Sequence, residues 1–208
     1  MSVYYYNGAQ ILAPFTITSN EPMFDADTVS LKKQRATQNA QRWEMSFSTV
    51  GTPDTVQDML ISAVANNQST STMIMPQLPA VSDKFTLENA DTSSTTAVAV
   101  KSSASVGDSS IEVKTLNRSG TLPKGCFFKF SSHDKLYMTT SDTVFDGTTN
   151  PTINFYPSLR SNATTAHQVR LGDLALLTYY KSVDNMSGIT FTDGILSNSG
   201  TIQLLEAL

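Results

Sequence analysis

The chain has 208 residues, 39% of them apolar and only 15% charged, with a formal net charge of −4. That length holds one large or two small β domains with a proper core. Serine and threonine make up about a quarter of the chain, and with 10 Phe and 7 Tyr they predict a β-rich, ordered protein. No basic run exceeds Lys32-Lys33, so the electrostatic footprint of a nucleic-acid or anionic-membrane binder is missing. A single cysteine, Cys126, excludes a disulfide scaffold. The opening Met1-Ser2-Val3-Tyr4-Tyr5-Tyr6-Asn7 predicts no signal peptide, and no apolar stretch reaches the length of a membrane span. Folding in the cytoplasm is the expectation.

In chain order, Val3-Tyr4-Tyr5-Tyr6 reads as a strand stopped by the turn dipeptide Asn7-Gly8. Residues 12–18 follow, then a segment at 23–31. The clearest strand covers 42–49, where Trp43, Met45 and Phe47 alternate with Arg42, Glu44, Ser46 and Ser48. Trp43 is expected as a core anchor, and Arg42 and Glu44 on the other face as members of cross-strand ion pairs.

A helix is predicted near 53–65. Thr52 serves as N-cap and Pro53 as N1, with Asp54 in the first turn. Val56, Met59, Leu60, Ala63 and Val64 form one apolar stripe. The polar run Asp91-Thr92-Ser93-Ser94-Thr95-Thr96 reads as a connector. Beyond it, strands are expected at 111–116, 126–130, 136–140 and 153–156. Turns fall at Gly107-Asp108, Gly120, Pro123-Lys124-Gly125, His133-Asp134 and Asp146-Gly147, a spacing that suggests a small barrel or sandwich. Further strands at 175–180, 189–191 and 202–205 return to complete the first sheet. The expected architecture is therefore mainly β. A β-sandwich or barrel with one α-helix (1–95 and 168–208) carries an inserted small β-barrel (96–167).

Chemistry-bearing patterns are sparse. His133, His167 and Cys126 are too few and wrongly spaced for zinc, and no phosphate-binding glycine motif occurs. Cys126 and His133 could face each other across a hairpin as a nucleophile and base, but Cys126 lies in an alternating strand, where a small core residue is the ordinary reading. Ser132-His133-Asp134 is contiguous, whereas triads are assembled in space, so it reads as a turn. Asn67, Asn117, Asn162 and Asn185 open N-x-[ST] triplets, about the number this composition yields by chance. No catalytic, cofactor-binding or metal-binding residue is assigned, and the chain is expected not to be an enzyme.

Two ordered stretches carry a resemblance. Ser30-Leu31 through Gln34-Arg35 leads to Gln41-Arg42-Trp43-Glu44-Met45-Ser46-Phe47 and the predicted helix. Val106-Gly107-Asp108-Ser109-Ser110-Ile111 then precedes Leu122-Pro123-Lys124-Gly125-Cys126-Phe127-Phe128-Lys129-Phe130. The progression ends with His133-Asp134-Lys135-Leu136-Tyr137-Met138-Thr139 and Ile153-Asn154-Phe155-Tyr156-Pro157-Ser158-Leu159-Arg160. This order resembles tailed-bacteriophage tail-tip and baseplate structural proteins of the distal-tail or tube-initiator type. Those proteins usually have Gly-Asp where this chain has Gly125-Cys126.

The resemblance implies a tail-tube-like fold with an inserted barrel. It also implies a ring of three or six copies joining tail tube to hub, with tube, hub and baseplate proteins as partners. No cofactor, specific nucleic acid or membrane is implied, and the virion tail is the expected location. The alternative is a receptor- or carbohydrate-binding module of an adhesin, fibre or decoration protein, for which Tyr4, Tyr5, Tyr6, Tyr179 and Tyr180 are candidate stacking residues.

Overall fold

The computed structural model describes residues 5–6, 9–27, 33–37, 40–50, 70–76, 79–89, 97–115, 118–182, 190–192, 195–198 and 200–208. The expected helix at 53–65 and the connector at 91–96 lie outside these residues. The strands of the N-terminal half are β1 (Tyr5–Tyr6), β2 (Ala9–Asn20), β3 (Met23–Asp27), β4 (Lys33–Thr37), β5 (Arg42–Val50), β6 (Ser71–Ile74), β7 (Glu88–Asn89) and β8 (Ala97–Ala99). Next come β9 (Ser110–Glu112), β10 (Arg118–Leu122), β11 (Phe127–Phe130), β12 (Leu136–Thr139), β13 (Thr143–Asp146), β14 (Thr152–Tyr156) and β15 (Gln168–Leu171). The last four are β16 (Leu176–Lys181), β17 (Thr190–Thr192), β18 (Ile195–Asn198) and β19 (Thr201–Glu206). One α-helical turn, α1 (Pro79–Ser82), is found among the described residues. The chain is mainly β, with a nearly closed barrel-shaped sheet and a half-barrel sheet.

Two compact units emerge, one of residues 1–20, 42–73 and 178–208, the other of 21–41 and 74–177. The first contains the half-barrel sheet, ordered β1-β2-β5-β19-β16-β6. The alternation read at 42–49 is borne out: Trp43, Met45, Phe47 and Thr49 are buried, their neighbours half-buried. Tyr6 joins this core edge-on to Phe47, with ring centroids 5.2 Å apart. Burial, reinforced by Tyr179 alongside, pushes the Tyr6 hydroxyl well above the ordinary tyrosine range. Between Leu12 and Thr16 the register of β2 against β5 shifts. Pro14 stands inside that irregularity, where its missing N–H takes nothing from the ladder.

The ion pairs expected of Arg42 and Glu44 are replaced by uncharged partners. Arg42 Nη1 donates to the Tyr180 hydroxyl at 2.9 Å, and Asn20 Nδ2 donates to Glu44 Oε1 at 3.0 Å. Cross-strand neighbours decide this: Asn20 lies opposite Arg42, and Leu205 lies opposite Glu44.

The second unit contains the barrel, ordered β8-β15-β11-β12-β14-β9. Its end strands meet through an antiparallel bridge between Val100 and Val113. Lys101 N–H donates to the Glu112 carbonyl at 2.9 Å and Lys114 N–H to the Ala99 carbonyl at 2.8 Å. Inside lie Val98, Ile111, Phe128, Phe130, Tyr137, Phe155 and Val169, all at most 3% exposed. Each such side chain stabilises the fold by about 1.5–3 kcal/mol before entropy is counted. Phe128, Phe130, Tyr137 and Phe155 form a tight aromatic group with centroids 5.4–6.2 Å apart.

A three-stranded sheet, β13-β10-β7, adds Leu87, Leu122 and Phe145 to the same core, and Val81 and Phe85 pack against it. The β3–β4 hairpin pairs Met23 with Thr37 through Asp27 with Lys33. Just ahead of it, Glu21 accepts a hydrogen bond from the Tyr156 hydroxyl at 2.8 Å.

Gly120, expected in a turn, sits inside β10 instead. Its φ is +111°, and a Cβ there would fall 2.1 Å from the Thr86 carbonyl oxygen. The backbone of residue 86 approaches this closely because Thr86 N–H donates to the Thr121 carbonyl and Thr121 N–H to Thr86 Oγ1, both at 3.1 Å. Gly120→Ala is therefore expected to destabilise the chain by about 2–4 kcal/mol. Urea unfolding followed by near-UV circular dichroism measures it, and an unchanged midpoint would contradict this packing.

Candidate functional site

The densest gathering of chemistry-bearing side chains lies at one end of the barrel. Strand β11 ends at Phe130, and the chain turns through Ser131 and Ser132, where His133 N–H donates to the Phe130 carbonyl at 3.2 Å. This turn carries His133 inward, where it is 7% exposed, with its ring 5.2 Å from that of Phe130. After β14 the chain runs through residues 157–163, which are pinned to the loop ahead of β9. Ala104 and Ala163 exchange both backbone hydrogen bonds, and Leu159 N–H donates to the Asp108 carbonyl at 2.7 Å. A turn at 164–167 then presents His167, with ring centroids 6.0 Å from His133.

Polar contacts define the protonation pattern. His133 Nε2 lies 3.2 Å from the Asn162 carbonyl oxygen, which only accepts, so Nε2 carries the proton. His133 Nδ1 lies 3.3 Å from the Tyr137 hydroxyl and accepts from it. That hydroxyl in turn accepts from Arg160 N–H at 3.4 Å. His167 Nδ1 accepts Thr164 N–H at 3.1 Å and also faces Ser132 Oγ at 2.9 Å. Burial lowers the His133 pKa, and the neighbouring His167 adds to this. The Asn162 carbonyl and Asp134 oppose it.

This wiring limits the chemistry. A metal needs free nitrogen lone pairs, yet both Nδ1 atoms hold hydrogen-bond donors and Nε2 of His133 holds a proton. The Ser132–His167 contact has the form of a nucleophile and base, but a backbone N–H already occupies the nitrogen that would have to receive the serine proton. Cys126 and His133 are not brought together. They stand beyond opposite ends of the four-residue strand β11, with Cys126 fully buried beside Thr139. There the Cys126 N–H donates to Thr139 Oγ1 at 2.9 Å and that hydroxyl donates to the Pro123 carbonyl at 2.7 Å.

Acidic side chains near turns serve the backbone. Asp108 accepts Ser105 N–H and Asp142 accepts Lys124 N–H, each at 2.7 Å. The Asp146 carboxyl is held well below its usual range by the Thr149 hydroxyl and the Thr148 and Thr149 N–H groups. Among the described residues no group of three or more His, Cys, Asp and Glu is placed to hold a metal ion. Nor is any helix among them long and apolar enough to cross a membrane.

Of the tyrosines considered for sugar stacking, Tyr6 and Tyr179 are each 1% exposed and belong to the core. Tyr180 is half-buried against Arg42, Tyr5 is 61% exposed, and Tyr4 lies outside the described residues. The histidine pairing was missed because 34 positions in the sequence separate the two rings, and only barrel closure makes them neighbours. A scan of protein-family models finds no match to this chain, and a search of curated proteins finds no similar sequence.

Tyr137→Phe keeps the ring in the aromatic group and deletes only the hydroxyl that joins His133 to residue 160. Stability is expected to fall by about 1–3 kcal/mol with the fold retained, as read by urea denaturation. No loss would mean that the hydroxyl link is not made.

Proposed function

We propose that this chain is a structural subunit of a bacteriophage tail, forming part of a ring at the distal tail or baseplate that joins tube to hub. The observation that carries the reading is the six-stranded sheet, which stays open among the described residues. Its order ends at β1 and β6, while the second sheet in the same chain closes upon itself. Strand edges offer N–H and C=O groups to another chain, and a second copy can satisfy them by strand addition. Repeated around an axis, such a heterologous contact closes a ring. The ordered motifs across residues 30–160, resembling tail-tip proteins, support the same reading.

In this role the chain carries no catalysis, metal or cofactor. The Ser132–His167 contact and Cys126 serve the barrel. Its partners are copies of itself, in three- or six-fold arrangement, and the tube, hub and baseplate proteins on either side. Neither a specific nucleic acid nor a membrane is among them, and the particle is assembled in the host cytoplasm. Low charge density suits a subunit beside a genome channel, because a basic wall would retain the passing phosphates.

The rival reading, a receptor- or carbohydrate-binding module, draws on the exposed Tyr5 ring, which is the one well-exposed aromatic among the residues whose side chains are described. Mass photometry across a concentration series separates the two. The proposal expects a discrete three- or six-copy species, favoured at high concentration. A chain that stays monomeric and binds a defined glycan on an array would contradict it.

A further inference from the structure

The two histidines of the chain stand 6.0 Å apart at one end of the barrel, and both are held as hydrogen-bond acceptors at Nδ1. For His133 the donor is the Tyr137 hydroxyl. For His167 it is Thr164 N–H, a group that can only donate, with Ser132 Oγ alongside. We infer that the pair forms an acid-operated latch, tying residues 159–167 to the turn after β11 and releasing them when either imidazole takes a second proton.

Each protonation reverses a bond. A proton on His167 Nδ1 would oppose Thr164 N–H, donor against donor, across 3.1 Å, and that contact is lost. A proton on His133 Nδ1 would turn the ring into a donor toward Tyr137, whose own hydroxyl proton must then rotate away. It would also place a cation in a site only 7% exposed, beside the aromatic group, where desolvation is costly.

The titratable or charged groups bearing on His133 are Tyr137 from β12, His167 ahead of β15 and Asp134 in its own turn. The Asn162 carbonyl favours the cation and, among the charged groups, Asp134 does too, but Asp134 is already 3.1 Å from the Lys129 ammonium. A charge on His167 opposes one on His133.

The direction of the pH effect follows. His133 is held below its ordinary 6.5 by burial first. As pH falls through 6.5 the unfolded or released segment binds the proton before the latched one does. The latch is therefore at full strength above that value and weakens progressively toward the lower folded-state value.

Amide hydrogen exchange on the intact chain, corrected for intrinsic rates, tests this at pH 7.5 and 5.0. Protection of the Arg160 and Thr164 amides should drop severalfold at the lower pH. The Phe155 amide, bonded to the Ser109 carbonyl within the barrel, should hold. The double variant His133→Gln, His167→Asn should lose the pH response, since Gln replaces the Nε2 donor and Asn the Nδ1 acceptor. Imidazole 15N shifts of the unaltered chain provide a readout independent of the variant's folding, and both rings should carry their proton on Nε2 at pH 7.5. Unchanged protection in acid, an equal loss at Phe155, the same pH response in the double variant, or a proton on Nδ1 of either ring would overturn the latch.

Discussion

Two backbone hydrogen bonds, from Lys101 N–H to the Glu112 carbonyl and from Lys114 N–H to the Ala99 carbonyl, hold the barrel of this protein together. They join the first and last strands of a six-stranded sheet, and closure removes both of its edges at once. The strands they join, β8 and β9, are consecutive in the barrel's chain order but occupy opposite ends of the sheet. A short loop therefore seals the cylinder at little entropic cost. Everything that the barrel encloses depends on this seam. The alternate residues of β11, β12, β14 and β15 point into one space, and Phe128, Phe130, Tyr137 and Phe155 meet there because no strand can peel away.

Closure also sets the barrel end. The loop from 101 to 109 seals the seam and then pairs with residues 159–163 through Ala104 and Ala163. Residues 157–167 are thereby carried over the aromatic group, and His133 becomes a buried partner of Tyr137 and Asn162. A histidine placed there has little use as a ligand or general base, since its nitrogens are committed to neighbours. Its value lies in what it holds and in the pH at which it does so. Among the described residues the half-barrel unit has no comparable seam. Its sheet stops at β1 and β6, which is the contrast on which the assembly role rests.

What could be read from the sequence follows from how burial is distributed. Strand β5 was legible because Trp43, Met45 and Phe47 are large and spaced by two, and β11, β12 and β14 because each carries aromatic or branched residues between turn signals. Strand β10 was not. Its five residues, Arg118-Ser119-Gly120-Thr121-Leu122, fully bury only Leu122, and its glycine reads as a turn when it serves a close backbone approach. Strand β15 alternates buried Val169 and Leu171 with exposed Gln168 and Arg170, too short a pattern to stand out. The seam and the histidine pair depend on contacts between distant positions, and no local pattern carries them. The partners of Arg42 and Glu44 required the register.

A ring subunit of a tail and a free binding module share this β-rich, weakly charged composition, and they part company in where the protein resides. Immunogold electron microscopy with antibody raised against the purified chain, applied to intact virions of a phage whose genome encodes this sequence, measures that directly. Label confined to the distal end of the tail is the result the tail-tip role predicts. Label along fibres, on the capsid, or on no part of the particle would contradict it.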